Sequence, residues 1–260
     1  MIRADVAIVG GGMAGASIAA EIGDAARVVI IEGEAQPGYH STGRSAAFWE
    51  ETYGGPAVQP LTTASYAYLA EHGFLSNRGA IHVADANSGA AIEALVRDYG
   101  GAVRLDRLDA GQVAQAIPGL RQGSIGGLSE PSCSDIDVAG LHAHYLGRAK
   151  RAGSGLLLDA RVHAIARVGE NEDGGWRIST SAGEVEAATI VNAAGAWAGE
   201  IARLAGAQPI AITPCRRTVV QLQVDPPAPA TMPLVMDAAE TFYFKPEAGG
   251  RIWLSPHDET

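Results

Sequence analysis

The run Val9-Gly10-Gly11-Gly12-Met13-Ala14-Gly15 leaves the start of this chain very few ways to fold. An apolar stretch, Val6 to Val9, leads into it, and a small-residue stretch, Ala16 to Ile22, leads out. The pattern reads as strand, tight turn and helix. In such a unit Gly10 permits the turn, Gly12 lets the backbone approach a diphosphate, and Gly15 lets helix and strand pack closely. The first helical turn offers unpaired N–H groups and the positive end of a dipole, both suited to an anion. A second apolar run, Val28 to Ile31, ends at Glu32, about twenty residues on, where an acid meets a ribose diol. Thirty-three glycines make chance matches to the turn easy. The strand before, the helix after and the placed acid are what make this a dinucleotide site. An acid rather than an arginine at Glu32 disfavours a 2′-phosphate, and so NADP.

Length and charge bound the rest. A chain of 260 residues forms one large domain or two smaller ones. A net charge of −10 and a pI near 5.1 argue against nucleic acid and anionic membranes as partners. Cys133 and Cys215 lack any metal-ligand spacing, so they read as free thiols in a reducing compartment. His142 and His144, two apart on a helical pattern, face different ways, and no metal site is expected. No run reaches the roughly eighteen apolar residues of a membrane helix. The chain reads as cytoplasmic.

After Glu32 the chain does not pass to another crossover helix, as a nicotinamide-binding domain would. It continues Gly33-Glu34-Ala35-Gln36-Pro37-Gly38-Tyr39-His40, then Ser41-Thr42-Gly43-Arg44-Ser45-Ala46-Ala47. This block resembles the FAD-dependent D-amino-acid oxidase and dehydrogenase family, most nearly the bacterial D-arginine-type dehydrogenases. The resemblance implies FAD as cofactor. Gly10, Gly12, Ala14, Gly15, Glu32 and Gly33 would hold its adenosine diphosphate half. The Ser41–Ala47 block, continuing to Phe48, would open a helix beneath the flavin.

The same resemblance places other residues. Val162 would touch the adenine through its backbone, and Gly195 would admit a close approach to the cofactor. Tyr53 and Tyr243 would face the substrate, and Arg217 would bind its carboxylate. Phe48 and Glu50 replace the family's usual pocket residues and imply an altered wall. Ala80 stands where family members that accept cationic side chains carry an acid, which implies an uncharged one. His82, alone in a strand pattern, reads as structural.

Periodicity supplies the scaffold. Helices are expected over 56–72, 88–99, 109–117 and 138–152, and strands over 78–85, 156–168, 176–180 and 251–254. A hairpin is expected at Ser181-Ala182-Gly183, a strand running toward Trp197 from Ala188, and a strand start at Pro214 to Leu222. The stretch from Gly126 to Asp137 reads as a loop. The expected architecture is α/β, with a Rossmann-like FAD-binding domain (1–78 and 140–212) and a discontinuous, β-sheet-rich substrate domain (79–139 and 213–260). The resemblance implies oxidative deamination of a D-amino acid by hydride transfer to flavin N5, a small-molecule substrate and an unspecified electron acceptor. A glycine-, sarcosine- or 2-hydroxy-acid-oxidising enzyme of the same fold is the alternative. The family's chains continue past the point matching Ser255–Thr260, so an inactive flavin-binding fragment is a third reading.

Overall fold

A computed structural model describes residues 1–121, 123–169 and 174–258. The chain divides into two compact units, the first joining Met1–Ala46 to Asp137–Pro214 and the second Ala47–Ile136 to Cys215–Thr260. The class is mixed α/β, as expected. Among the described residues no helix is long and apolar enough to cross a membrane.

The first unit is built on a sheet ordered Val162–Val168, Gly175–Thr180, Gly183–Asn192, Ile2–Val9, Val28–Ile31, Gly155–Leu157. Ile2–Val9 lies parallel to both of its neighbours, and Val28–Ile31 runs parallel to Gly155–Leu157. Successive side chains on a strand point to opposite faces, and here both faces are covered. Ile8, Val28 and Ile30 pack on Ala19 of helix Met13–Ile22 and Ala149 of helix Val138–Arg151. Ala7, Val9, Val29 and Ile31 meet Ile178, Val185 and Ile201 on the other side. That two-sided burial is why these strands read as unbroken apolar runs rather than alternating ones.

The second unit holds a sheet ordered Val220–Gln223, Arg251–Ser255, Tyr243–Glu247, Leu234–Asp237, Ala80–Asp85, Ser124–Glu130, Asp106–Asp109. Only the Leu234–Asp237 and Ala80–Asp85 pair is parallel. Helix Ala110–Ala116 covers Ile81, Val83 and Val235 through Val113, and helix Gly89–Tyr99 covers Ala84 and Leu128 through Ile92. Asp109 closes the start of the former with a reciprocal capping box to Gln112. A three-stranded sheet pairs Phe48–Trp49 and Leu75–Asn77 with Ser134–Ile136.

Several expectations change. The units exchange chain at 46/47, 136/137 and 214/215, against the expected 78/79, 139/140 and 212/213. The early exchange follows from Phe48–Trp49 and Leu75–Asn77 pairing with Ser134–Ile136, which ties 48–77 to the second unit. Residues 259 and 260 of the last expected segment lie outside the described residues. The single strand expected over 156–168 is two, at opposite edges of one sheet. Between them Asp159 turns at φ +51, and the Ala160 N–H donates to the Glu32 carbonyl. The hairpin arm and the following apolar run are one strand, Gly183–Asn192, antiparallel to Gly175–Thr180 and parallel to Ile2–Val9. The strand expected from Pro214 begins only at Val220. Helix Gln59–Glu71 does form, yet Leu61 on its apolar pattern is 72% exposed and only Leu69 is buried.

The stretch read as a loop from Gly126 contributes most of a central strand, Ser124–Glu130, and then strand Ser134–Ile136. Its glycines serve close packing rather than a turn. A Cβ at Gly127 would stand 2.5 Å from the His82 carbonyl oxygen, and one at Gly126 2.6 Å from that of Leu108. Backbone on both sides leaves no flexible end to yield. Gly127→Ala is therefore expected to lower the unfolding free energy by about 1–3 kcal/mol, read by urea denaturation. A change within about 0.5 kcal/mol would restore the loop reading.

Candidate functional site

The glycine turn closes against backbone at two points. Gly10 has φ +107, and a Cβ there would strike the Ala193 carbonyl; one at Gly15 would strike the carbonyl of Gly10. The N–H groups of the turn are shared out. Gly10 donates to the Ile31 carbonyl at 2.8 Å, and Gly11 to Glu32 Oε2 at 2.8 Å. Met13 donates to Thr42 Oγ1 at 3.0 Å. The other Glu32 oxygen accepts the Glu34 N–H at 2.9 Å. Helix Met13–Ile22 starts at Gly12 with no side-chain cap and no acid in its first turn. Its first N–H groups then have no intrahelical acceptor, and the dipole end carries no built-in counter-charge.

From helix Val138–Arg151 the buried His142 places Nε2 2.8 Å from the Gly11 carbonyl oxygen. A carbonyl only accepts, so Nε2 carries the proton in this contact. The sequence reading weighed His142 only as a metal ligand and missed this bond. Its position three and seven residues before Tyr145 and Ala149, on one helical stripe, was the available signal.

These elements border a cavity of about 210 Å³. The turn gives it Gly10 and Gly12, the strand end Glu32 and Gly33, and the following turns Ser41 and Thr42; Val162 and Gly195 come from later chain. Ala160, Ala194 and Trp197 add apolar wall. His40 places Nε2 2.9 Å from Glu34 Oε1 and its ring 4.7 Å from that of Trp197. Such a cleft can seat an anion on the helix end, a diol on Glu32 and a flat apolar group between Val162 and Trp197.

The other expected cofactor residues do not border it. Ala14 is exposed on the first helical turn and Gly15 is buried beneath it. Instead of opening a helix, the block from Ser41 runs as turns to Arg44 and irregular backbone over Ser45, Ala46 and Ala47. The Gly43 N–H donates to the Gly38 carbonyl at 2.7 Å, and that closure turns the chain. Arg44 lies over the Tyr39 ring, 4.7 Å from its centroid. Ala47 (φ +60) and Phe48 belong to the second unit.

The three expected substrate-side residues also lie in the second unit. The Phe48 ring bridges Tyr53 at 6.1 Å and Tyr243 at 5.8 Å, both edge-on. Tyr53 is 58% exposed, whereas Tyr243 is buried. Burial raises the Tyr243 hydroxyl pKa, and the positive charge of Arg217 opposes that rise. Arg217 is exposed and sits ahead of its strand, not within it.

Beside this cluster the sequence reading missed a group. Glu50, His82 and Glu130 are all buried, and one ligand atom from each lies within 4.8 Å of the others. Burial first, then the charge of Glu130, pushes the Glu50 carboxyl well above the usual carboxylate range. Glu50 is thus enclosed in this unit, not the wall residue the resemblance implied. Cys133 is a buried free thiol whose pKa burial raises, and Cys215 is exposed.

Comparison with known proteins agrees with this fold. Mouse mitochondrial dimethylglycine dehydrogenase is 28% identical over 146 residues, which are 55% of this chain and 16% of that protein. The chain thus spans about a sixth of that curated relative. Glycine oxidase from Geobacillus kaustophilus superposes with a TM-score of 0.77 at 24% identity, covering 98% of this chain and 71% of that one. L-Proline dehydrogenase from P. horikoshii gives 0.81 at 20%, covering 99% and 71%. The family described as FAD dependent oxidoreductase matches residues 5–260, and this chain belongs to that family, DAO.

Proposed function

We propose that the first unit holds FAD by its adenosine diphosphate half. We propose also that the second unit presents Arg217, Tyr53 and Tyr243 to a D-amino acid for oxidation at Cα. One observation carries the first part: an uncapped helix start, with no acid in its first turn, borders a cavity that also includes Glu32. The residues fit the group. Each Glu32 oxygen accepts one backbone N–H and retains a lone pair for a ribose hydroxyl. Val162, Ala160 and Trp197 suit an adenine. Gly10 and Gly15 hold the turn, Gly12 lies where helix N–H groups would meet an anion, Ala14 follows on the same first turn outside the cleft, and Thr42 fixes the Met13 N–H.

When bound, FAD would supply the hydride acceptor for converting a D-amino acid to an imino acid. Water then converts the imino acid to a keto acid and ammonia. Arg217 would orient the carboxylate through a bidentate pair worth roughly 1.5–3 kcal/mol. Tyr53 and Tyr243 would border the side chain around Phe48. Ala80, buried and without charge, favours an uncharged side chain.

The likeness to dimethylglycine dehydrogenase supports a second reading, oxidation of an N-methylated glycine, which shares the carboxylate and the Arg217 contact. An anaerobic substrate panel on the flavin-loaded protein separates the two. Bleaching by D-amino acids supports the first reading. Bleaching by sarcosine or dimethylglycine alone replaces it with the second, and a bound flavin that no amine bleaches leaves neither.

Glu32→Ala is expected to weaken FAD binding about ten- to a hundredfold, since it removes a charge-assisted contact. Quenching of flavin fluorescence reads the dissociation constant, and an unchanged value removes Glu32 from the site. Arg217→Ala is expected to raise KM about tenfold or more, with a smaller effect on kcat. An unaltered KM would reject its role.

A further inference from the structure

The Thr52 hydroxyl, with one proton to give, faces two carboxyl oxygens and one ring nitrogen. Thr52 Oγ1 lies 2.7 Å from Glu130 Oε2, 3.1 Å from Glu50 Oε1 and 3.3 Å from His82 Nε2. A hydroxyl has one proton and an imidazole nitrogen at most one. Glu130 Oε1 is satisfied by the Glu51 N–H at 2.8 Å. Glu50 Oε2 is buried and has no hydrogen-bond partner. Two carboxylates, 3% and 0% exposed, thus share a pocket of protein with one histidine, 4% exposed. Buried charges of like sign are costly unless a cation or metal offsets them.

The spacing indicates which cation. His82 Nε2 stands 3.6 Å from Glu50 Oε1 and 3.5 Å from Glu130 Oε2, too long for good hydrogen bonds. Ligands at about 2.0–2.2 Å from a tetrahedral ion lie roughly 3.3–3.6 Å apart, which matches these two edges. Two carboxylates and a neutral imidazole carry a charge that one divalent ion cancels.

We propose that Glu50, His82 and Glu130 bind one divalent transition-metal ion inside the second unit. The mixed oxygen and nitrogen donor set suits Zn²⁺ or Mn²⁺. The ligands come from the segment after strand Phe48–Trp49, from strand Ala80–Asp85 and from the end of strand Ser124–Glu130. The ion therefore clips three separate pieces of chain and fixes the backbone that carries Phe48 and Tyr53.

The test uses the full chain, stripped with a chelator and titrated with Zn²⁺ and with Mn²⁺ by calorimetry, with metal content measured after gel filtration. The expected result is one tight equivalent per chain for at least one of the two ions. Affinity should fall at least about tenfold in Glu50→Gln and in His82→Gln. The unfolding midpoint should rise on metal addition in the wild type and much less in either variant. Glu50→Gln keeps the side-chain shape and removes a charge with an unpaired oxygen, so the stripped variant should be at least as stable as stripped wild type. The proposal is overturned if neither ion binds at a single saturable site, or if Glu50→Gln binds as tightly. It is also overturned if stripped wild type is clearly more stable than stripped Glu50→Gln, because the cluster would then be satisfied by protons alone.

Discussion

The first unit depends on backbone meeting backbone at the end of strand Ile2–Val9. A Cβ at Gly10 has no space against Ala193, and one at Gly15 none against Gly10. These two contacts set the neighbours as well as the turn. The Ala193 N–H donates to the Val9 carbonyl at 2.9 Å, continuing the ladder that holds strand Gly183–Asn192 beside Ile2–Val9. Once the strands lie so, the helix must start where it does. Gly11 and Met13 then spend their N–H groups on Glu32 and Thr42, and the remaining first-turn donors are left for a ligand. The cleft beside the turn is a by-product of how tightly the turn packs.

Three carboxylates show how surroundings decide what an acid does. Glu32 is partly exposed and bonded by two backbone N–H groups, so its charge is met and it is free to accept more. Asp135, also partly exposed, lies 3.1 Å from the Lys245 ammonium and bonds Arg78. Those cations outweigh desolvation and hold its pKa below the usual value. Glu50 is enclosed, and after burial the charge that most raises its pKa is that of another carboxylate, Glu130. Chemically alike residues thus support a ligand, brace a sheet, or call for a cation.

The glycine turn, its flanking strand and helix, and Glu32 were legible because each rests on local rules within about thirty residues. Most helix positions were legible too, since amphipathic spacing and caps are also local. What failed depended on distant chain. Gly126 and Gly127 looked like loop residues because nothing nearby reveals that His82 and Leu108 press on them. The strand Gly183–Asn192 looked like two pieces because its start pairs in a local hairpin while its length beyond that is set by the distant Ile2–Val9 strand. The Ser41 block suggested a helix through family likeness, whereas Gly38 and Gly43 close it into turns. Glu50, His82 and Glu130 escaped notice because only the sheet brings residues so far apart in sequence into one group.

The central claim is that the first unit grips the adenosine half of the flavin dinucleotide. Parallel titrations of the flavin-free chain with FAD and with FMN, which lacks that half, test it directly. The account expects FAD to bind at least about a hundredfold more tightly, a difference near 2.7 kcal/mol. Equal affinity for the two flavins would contradict it.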